Sequence, residues 1–313
     1  MSRWNKVSCA AHSQEQTQTP MLKTETPSTA HATLDQYPTD RLIHALVDDQ
    51  FNAVHAVRAA SAQLVRAVDA AAVRLIEGGR LIYVGAGTSG RLGLLDSVEL
   101  YPTFSWPRER AVSLLAGGTS AVYQAVEGAE DNFEQGSIDI MAVGLTALDV
   151  VLLLAASGNT PYAMGALAAA RSVGALSIGI ANNALAPLAT QADIGITLDT
   201  GAELISGSTR LKAGTSQKIA LNTFSSAVMV RLHKVYGNLM VDLKPTNAKL
   251  LRRAIALTAL VSGASEELAG ATLKDCGFEV KTAIVALKNS VSVAQAKQLL
   301  TDAGDNLRQV IGS

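Results

Sequence analysis

The strongest constraint on the fold of this chain is a glycine-rich run, Gly85-Ala86-Gly87-Thr88-Ser89-Gly90, set between two apolar segments. Ahead of it, Leu81-Ile82-Tyr83-Val84 reads as a buried strand. Behind it, Leu92-Gly93-Leu94-Leu95-Asp96 reads as the first turns of a helix. A strand, a tight turn and a helix start aim backbone N–H groups and the positive end of a helix dipole at one point, which suits an anion. Thr88 and Ser89 add hydroxyl donors, and the implied ligand carries a phosphate.

Several readings compete at this loop. Gly85, Gly87 and Gly90 match the G-x-G-x-x-G dinucleotide fingerprint, which also wants an acidic residue at the end of the second strand. That strand, Ala111–Leu115, runs into Ala116-Gly117-Gly118-Thr119, and Glu109 lies before it. A P-loop ends in Gly-Lys-Ser/Thr, whereas here Gly90 is followed by Arg91-Leu92. A sugar-phosphate loop asks only for glycines and hydroxyls and fits with no part missing. A tight turn with no ligand stays open, since glycine-rich turns between strand and helix are common.

The 313 residues suffice for a large core and one or two domains. A formal net charge of −1 gives no basic field for a nucleic-acid partner. No apolar run reaches the roughly 18 residues that span a membrane, and no apolar segment of signal-peptide type opens the chain. Cys9 and Cys276 form no framework or metal spacing, and Cys276 reads as a packing residue. With scattered histidines besides, the expectation is a soluble cytoplasmic protein with no metal site and no cofactor.

Residues 1–38, rich in Ser, Thr, Gln and Pro, are expected to be a flexible N-terminal extension, with Met21 an alternative start. From Thr39 apolar residues recur at helical spacing up to Gly78-Gly79. Strands and helices then alternate: strands at Leu81–Val84, Ala111–Leu115, Asp149–Ala155, Ala175–Ile180 and Ile194–Leu198, helices at Ser89–Leu100, near Ser120–Glu127, at Ala163–Val173 and Ala186–Thr190, and a long one from about Thr209 to Tyr236. The fold class is therefore α/β, a five-stranded parallel sheet flanked by helices, with ligands at the carboxyl ends of the strands. Leading helices and sheet make one domain over residues 39–246. Residues 247–313, broken at Gly263, Gly277 and Gly304, make a small C-terminal domain of three or four helices.

A second turn, Ser157-Gly158-Asn159-Thr160-Pro161, follows the third strand, and Ser157, Asn159 and Thr160 are candidates to bind a phosphate or sugar hydroxyls; a capped turn with Pro161 opening the helix is the plain alternative. A third cluster, Ser206 to Lys212, opens the long helix as a cap or as donors to the same pocket. No histidine lies in these loops, so acid–base work falls to carboxylates: Asp96, Glu99, Glu127, Glu130, Asp131 and Glu203 lie near that edge, and sequence position alone does not rank them. Glu99 precedes Leu100-Tyr101-Pro102, where a helix is expected to end, so Glu99 and Glu130 are expected to project from loops into one cleft.

The two loops resemble those of sugar isomerase (SIS) domains. Gly85–Gly93, Ala125-Val126-Glu127-Gly128-Ala129-Glu130-Asp131, Leu211-Lys212-Ala213-Gly214-Thr215 and Gly237-Asn238-Leu239-Met240-Val241-Asp242 more closely resemble the N-acetylmuramic acid 6-phosphate etherase family, from about Thr39 to the C-terminus. The resemblance implies an SIS-type fold, a homodimer without metal or nucleotide, and a phosphosugar substrate. It also implies cleavage of a lactyl ether to N-acetylglucosamine 6-phosphate and D-lactate in cell-wall sugar recycling. The family's two catalytic glutamates fall on Glu99, acting at the ether oxygen and the incoming water, and on Glu130, acting at C2 or in ring opening. Ser89, Ser157 and Thr160 would hold the 6-phosphate and Glu203 would contact the sugar, with Gly87, Thr88, Asn159, Ser206 and Lys212 as further substrate-binding candidates. Three segments depart from the family. Glu99-Leu100-Tyr101-Pro102-Thr103 stands where Glu-Cys-Pro-Pro-Thr is usual, Asn159 replaces an arginine, and Thr24-Glu25-Thr26 matches the family's Thr-Glu start only in part. A phosphosugar-sensing regulatory protein without catalysis and an aldose–ketose isomerase are the alternatives; a dinucleotide enzyme is more distant.

Overall fold

A computed structural model describes residues 22–312. Five apolar segments become strands: Leu81–Gly85 (β1), Ala111–Leu115 (β2), Val150–Ala155 (β3), Leu176–Ala181 (β4) and Ile194–Thr197 (β5). They form one parallel sheet in the order β2-β1-β3-β4-β5. Every residue of β1, β3 and β4 is buried, as unbroken apolar runs require when helices cover both faces. The pleat sends alternate side chains to opposite layers. Leu81, Tyr83, Leu152 and Ile178 pack on helices Thr39–Ala59 (α1), Ser61–Ile76 (α2), Gly87–Phe104 (α3) and Lys212–Arg231 (α7). Ile82, Val84, Val151 and Leu153 pack under Phe133–Ala142 (α4), Pro161–Val173 (α5) and Pro187–Gln191 (α6).

The amino end of the sheet is clasped by one ion pair. Asp149, just before β3, accepts from the Arg80 guanidinium at 3.0 and 2.7 Å, and from the backbone N–H groups of Arg80 at 3.0 Å and Thr146 at 2.8 Å. Burial opposes ionisation of this carboxyl, but the Arg80 and amide bonds outweigh it and hold its pKa below the usual aspartate range.

Residues 248–311 fold into five helices, Ala248–Ser262 (α8), Glu266–Asp275 (α9), Val280–Asn289 (α10), Val293–Asp302 (α11) and Leu307–Ile311 (α12), around a core that includes the buried Cys276. Asn247, Ser265, Ser292 and Asn306 cap four of them, Ser292 in a reciprocal box with Gln295. The count exceeds the three or four expected because Ser290, in the left-handed region at φ 53°, adds a break where no glycine marks one. Among the described residues no helix is long and apolar enough to cross a membrane.

Other expectations are corrected. The long helix stops at Arg231, and a hairpin of Val235–Tyr236 (β6) and Leu239–Met240 (β7) turns at Gly237-Asn238; its neighbours Val241 and Leu243 pack into the C-terminal core. Where a helix was expected near Ser120–Glu127 there is only a 3-10 turn, Gly118–Val122, entered through left-handed Gly117 and Gly118; the helix comes later, as α4. The extension is not free from residue 22 on: Lys23–Glu25, Thr29–His31 and Leu34–Gln36 form 3-10 turns, and Thr24 is fully buried. Met21 and Cys9 lie outside the described residues.

Candidate functional site

In the observed strand order, the chain leaves β1 toward β2 on one side and β3 toward β4 on the other, so a crevice opens between the two turns at their carboxyl ends. The turn after β1 closes tightly: a side chain at Gly85 would put its Cβ 2.9 Å from the Gly90 nitrogen, and Gly87 sits at φ +52°. These contacts explain the glycines without any ligand. What they leave exposed is the N-terminus of the 18-residue α3, with the free amides of its first turn. Opposite it, Thr160 and Pro161 start the 13-residue α5.

Together these helix starts line a cleft of about 480 Å³ with Gly87, Thr88, Ser89, Ser157, Asn159 and Thr160 on its walls. The Asn159 N–H donates to Ser157 Oγ at 3.2 Å, which sets the second turn. Two helix N-termini and the hydroxyls of Thr88, Ser89, Ser157 and Thr160 converge, while no lysine or arginine lines the cleft. The arrangement fits a phosphate held by neutral donors.

Glu130 reaches this cleft from the 3-10 turn Ala129–Asp131, next to Asp131. Glu99 does not. α3 continues through Pro102 to Phe104, because a proline in the last turn forfeits only one backbone bond, so Glu99 stands on the helix surface and not on a loop. It lines a separate groove of about 460 Å³ between α3 and α7, with Asp96, Lys218, Asn222 and Ser225. Asp96, 4 % exposed, accepts from Tyr83 Oη at 2.9 Å and Ser225 Oγ at 3.2 Å. Burial raises its pKa more than those two bonds lower it.

Three further candidates are placed elsewhere. Glu203, expected at the sugar, is fully buried and accepts from the N–H groups of Lys212 at 3.2 Å and Ala213 at 2.9 Å, capping α7; burial raises its pKa against those two bonds. Lys212 is buried and its Nζ pairs with Asp49 at 2.6 Å, on α1 and away from the cleft. Ser206 Oγ donates to the Glu25 carbonyl at 2.9 Å, so it holds the N-terminal segment and does not line the cleft. In their stead Thr209 lines the cleft, together with Leu22 and Glu25 from a segment whose composition pointed to disorder. Thr209 falls inside the Ser206–Lys212 cluster that the sequence offered as donors to this pocket, and Thr24-Glu25 was the one sequence signal for the N-terminal pair.

Comparison with known proteins gives the family. A model of the SIS domain matches residues 131–227, and one of the glucokinase regulatory protein N-terminal SIS domain matches residues 63–171. The chain is 56% identical to the N-acetylmuramic acid 6-phosphate etherase of Deinococcus radiodurans, over 93% of this chain and 95% of that protein. It is 44% identical to N-acetylmuramic acid 6-phosphate etherase 1 of Enterococcus faecalis over 93% and 97% of the two chains. The etherase of Salmonella choleraesuis is 45% identical over 89% and 94%.

Proposed function

This chain belongs to the N-acetylmuramic acid 6-phosphate etherase family, and from that premise we propose that its cleft seats the 6-phosphate of N-acetylmuramic acid 6-phosphate while Glu130 and Glu99 carry the proton transfers. The enzyme is a carbon–oxygen lyase that yields N-acetylglucosamine 6-phosphate and D-lactate. The observation that supports the reading best is the cleft itself, lined by amide and hydroxyl donors of two helix N-termini and by the Glu130 carboxylate, with no lysine or arginine among its lining residues.

The chemistry needs a base near C2 and an acid near the ether oxygen. Once the ring opens, the C1 aldehyde acidifies the C2 hydrogen. A carboxylate removes that proton, the electron pair forms the C2–C3 double bond, and the C3–O bond breaks. Glu99 delivers a proton to the departing lactyl oxygen; as a carboxylate it then takes one from water as the hydroxyl adds to C3, and C2 is reprotonated. Glu130 serves at C2 or in ring opening.

Glu99 stands twelve residues along α3 from Gly87, about 18 Å at 1.5 Å per residue. A hexose phosphate is far shorter than that. We therefore assign the enzyme as a homodimer in which Glu99 enters the cleft of the neighbouring copy. The exposed stripe of Ile43, Val47, Phe51 and Val54 on α1 supports such an interface. With a phosphorylated sugar as substrate, we place the reaction in the cytoplasm.

Lactate release from N-acetylmuramic acid 6-phosphate by the wild type, lost in Glu99→Gln, is the expected result. Phosphosugar binding with no release from the wild type would favour a sensor. Mixing the inactive Glu99→Gln and Glu130→Gln proteins through a dissociation step should restore about a quarter of wild-type activity, since one site in each mixed dimer is whole. No recovery after subunit exchange would refute the shared site.

A further inference from the structure

The segment ahead of the sheet domain is strapped across the cleft, and we propose that Glu25, carried on this strap, is a specificity residue that accepts hydrogen bonds from the sugar hydroxyls next to the phosphate. The inference rests on the phosphosugar reading of the cleft but not on the etherase chemistry.

The strap is built in, not draped. Thr24 is fully buried. Its N–H donates to Asn183 Oδ1 at 3.4 Å, and its hydroxyl accepts from Asn183 Nδ2 at 3.1 Å. The same Nδ2 donates to the Ala156 carbonyl at 2.9 Å, in the turn that carries Ser157. One amide side chain thus fixes the strap and the phosphate turn to each other. The Gly207 N–H donates to the Thr24 carbonyl at 3.2 Å, and Lys23 pairs with Asp199 at 2.6 Å. These anchors place Glu25 on the lining of the cleft, with its carboxylate beside Gly207 at the edge. A Cβ at Gly207 would lie 2.9 Å from Glu25 Oε2, and its φ of +74° also suits glycine.

Charge decides what Glu25 can meet. The donors of the cleft gather at Gly87–Ser89 and Ser157–Thr160, and the phosphate belongs there. Glu25, Glu130 and Asp131 are acceptors only when ionised, so they repel a second anion and take O–H or N–H groups. Along a hexose 6-phosphate the groups nearest the phosphate are neutral hydroxyls. An O–H donated to a carboxylate is among the stronger hydrogen bonds. No ion pair neutralises Glu25 among the described residues.

Calorimetric titration of the full chain tests this with two probes, N-acetylglucosamine 6-phosphate and inorganic phosphate. Glu25→Ala should weaken the sugar phosphate about 10-fold or more while phosphate stays within about 2-fold, with Glu25→Gln in between. Thr24→Val, which unpins the strap, should follow Glu25→Ala at an almost unchanged melting temperature. Unchanged sugar-phosphate affinity in Glu25→Ala, or an equal loss for both probes, overturns the proposal. A wild type that binds neither probe overturns the phosphosugar reading along with it. Tight binding without lactate release removes only the etherase chemistry.

Discussion

The two ends of the sheet are built to opposite specifications. At the amino end the donors around Asp149 are answered: Arg80 clasps the carboxylate through its guanidinium and its backbone N–H, and Thr146 closes it through its N–H and hydroxyl, in bonds of 2.7 to 3.2 Å. At the carboxyl end the helix amides, the hydroxyls of Thr88 and Ser157, and three carboxylates face a cleft without an ion pair among the described residues. The same β1 and β3 carry both ends. Stability sits at one edge and unspent hydrogen-bonding capacity at the other, so changes at the two edges should separate cleanly into folding effects and binding effects.

Asp149→Ala should show the largest effect. Removing the buried carboxylate leaves the backbone N–H groups of Arg80 and Thr146 without their acceptor and the half-buried Arg80 guanidinium without its counter-charge. The cost is about 2–3 kcal/mol, read as a lowered denaturation midpoint, while KM in the protein still folded stays put. Ser157→Asp should do the reverse. It sets a negative charge in the cradle and raises KM about 100-fold, with the melting temperature nearly unmoved; a matching loss of stability would break the separation. Asn159→Arg should gain about 10-fold in sugar-phosphate affinity, and the gain should shrink with added salt, as for any exposed charge.

The smallest effect is a pair of opposite pH slopes. Asp149 has a lowered folded pKa, so its contribution is present above the unfolded value and is lost as pH falls from the ordinary aspartate range through the lowered one. Asp96 has a raised folded pKa, so stability declines as pH climbs from the ordinary aspartate range through the raised value. Denaturation midpoints across acid pH should fall less steeply on acidification for Asp149→Asn than for the wild type. For Asp96→Asn the decline on the rising side should become shallower, Glu203 keeping its own share. Equal slopes in all three proteins would refute both assignments.

What the sequence made legible was local. The strand runs, the glycine turn and the Ser157–Thr160 turn each announce themselves within six or so residues, and the sheet follows from their alternation. What it hid depended on distant partners. Thr24 reads as disordered because nothing nearby in sequence holds it; its anchor is Asn183, 159 residues away. Glu203 looks like a sugar ligand until α7 starts nine residues later and takes its carboxylate as a cap. Glu99 looked like a loop residue because Pro102 is a helix breaker in isolation, yet the last turn of α3 tolerates it. The separation of Glu99 from Glu130 needs the length of a helix, which no motif records.

Asn183 has one more consequence. Because a single side chain grips both the strap and the phosphate turn, whatever firms up the turn also firms up the strap. Local opening of the N-terminal segment and occupancy of the cleft are then linked equilibria. Trypsin cutting at the exposed Lys23 becomes a gauge of saturation: the nick should slow in step with added sugar phosphate, and Asn183→Ala should uncouple the two.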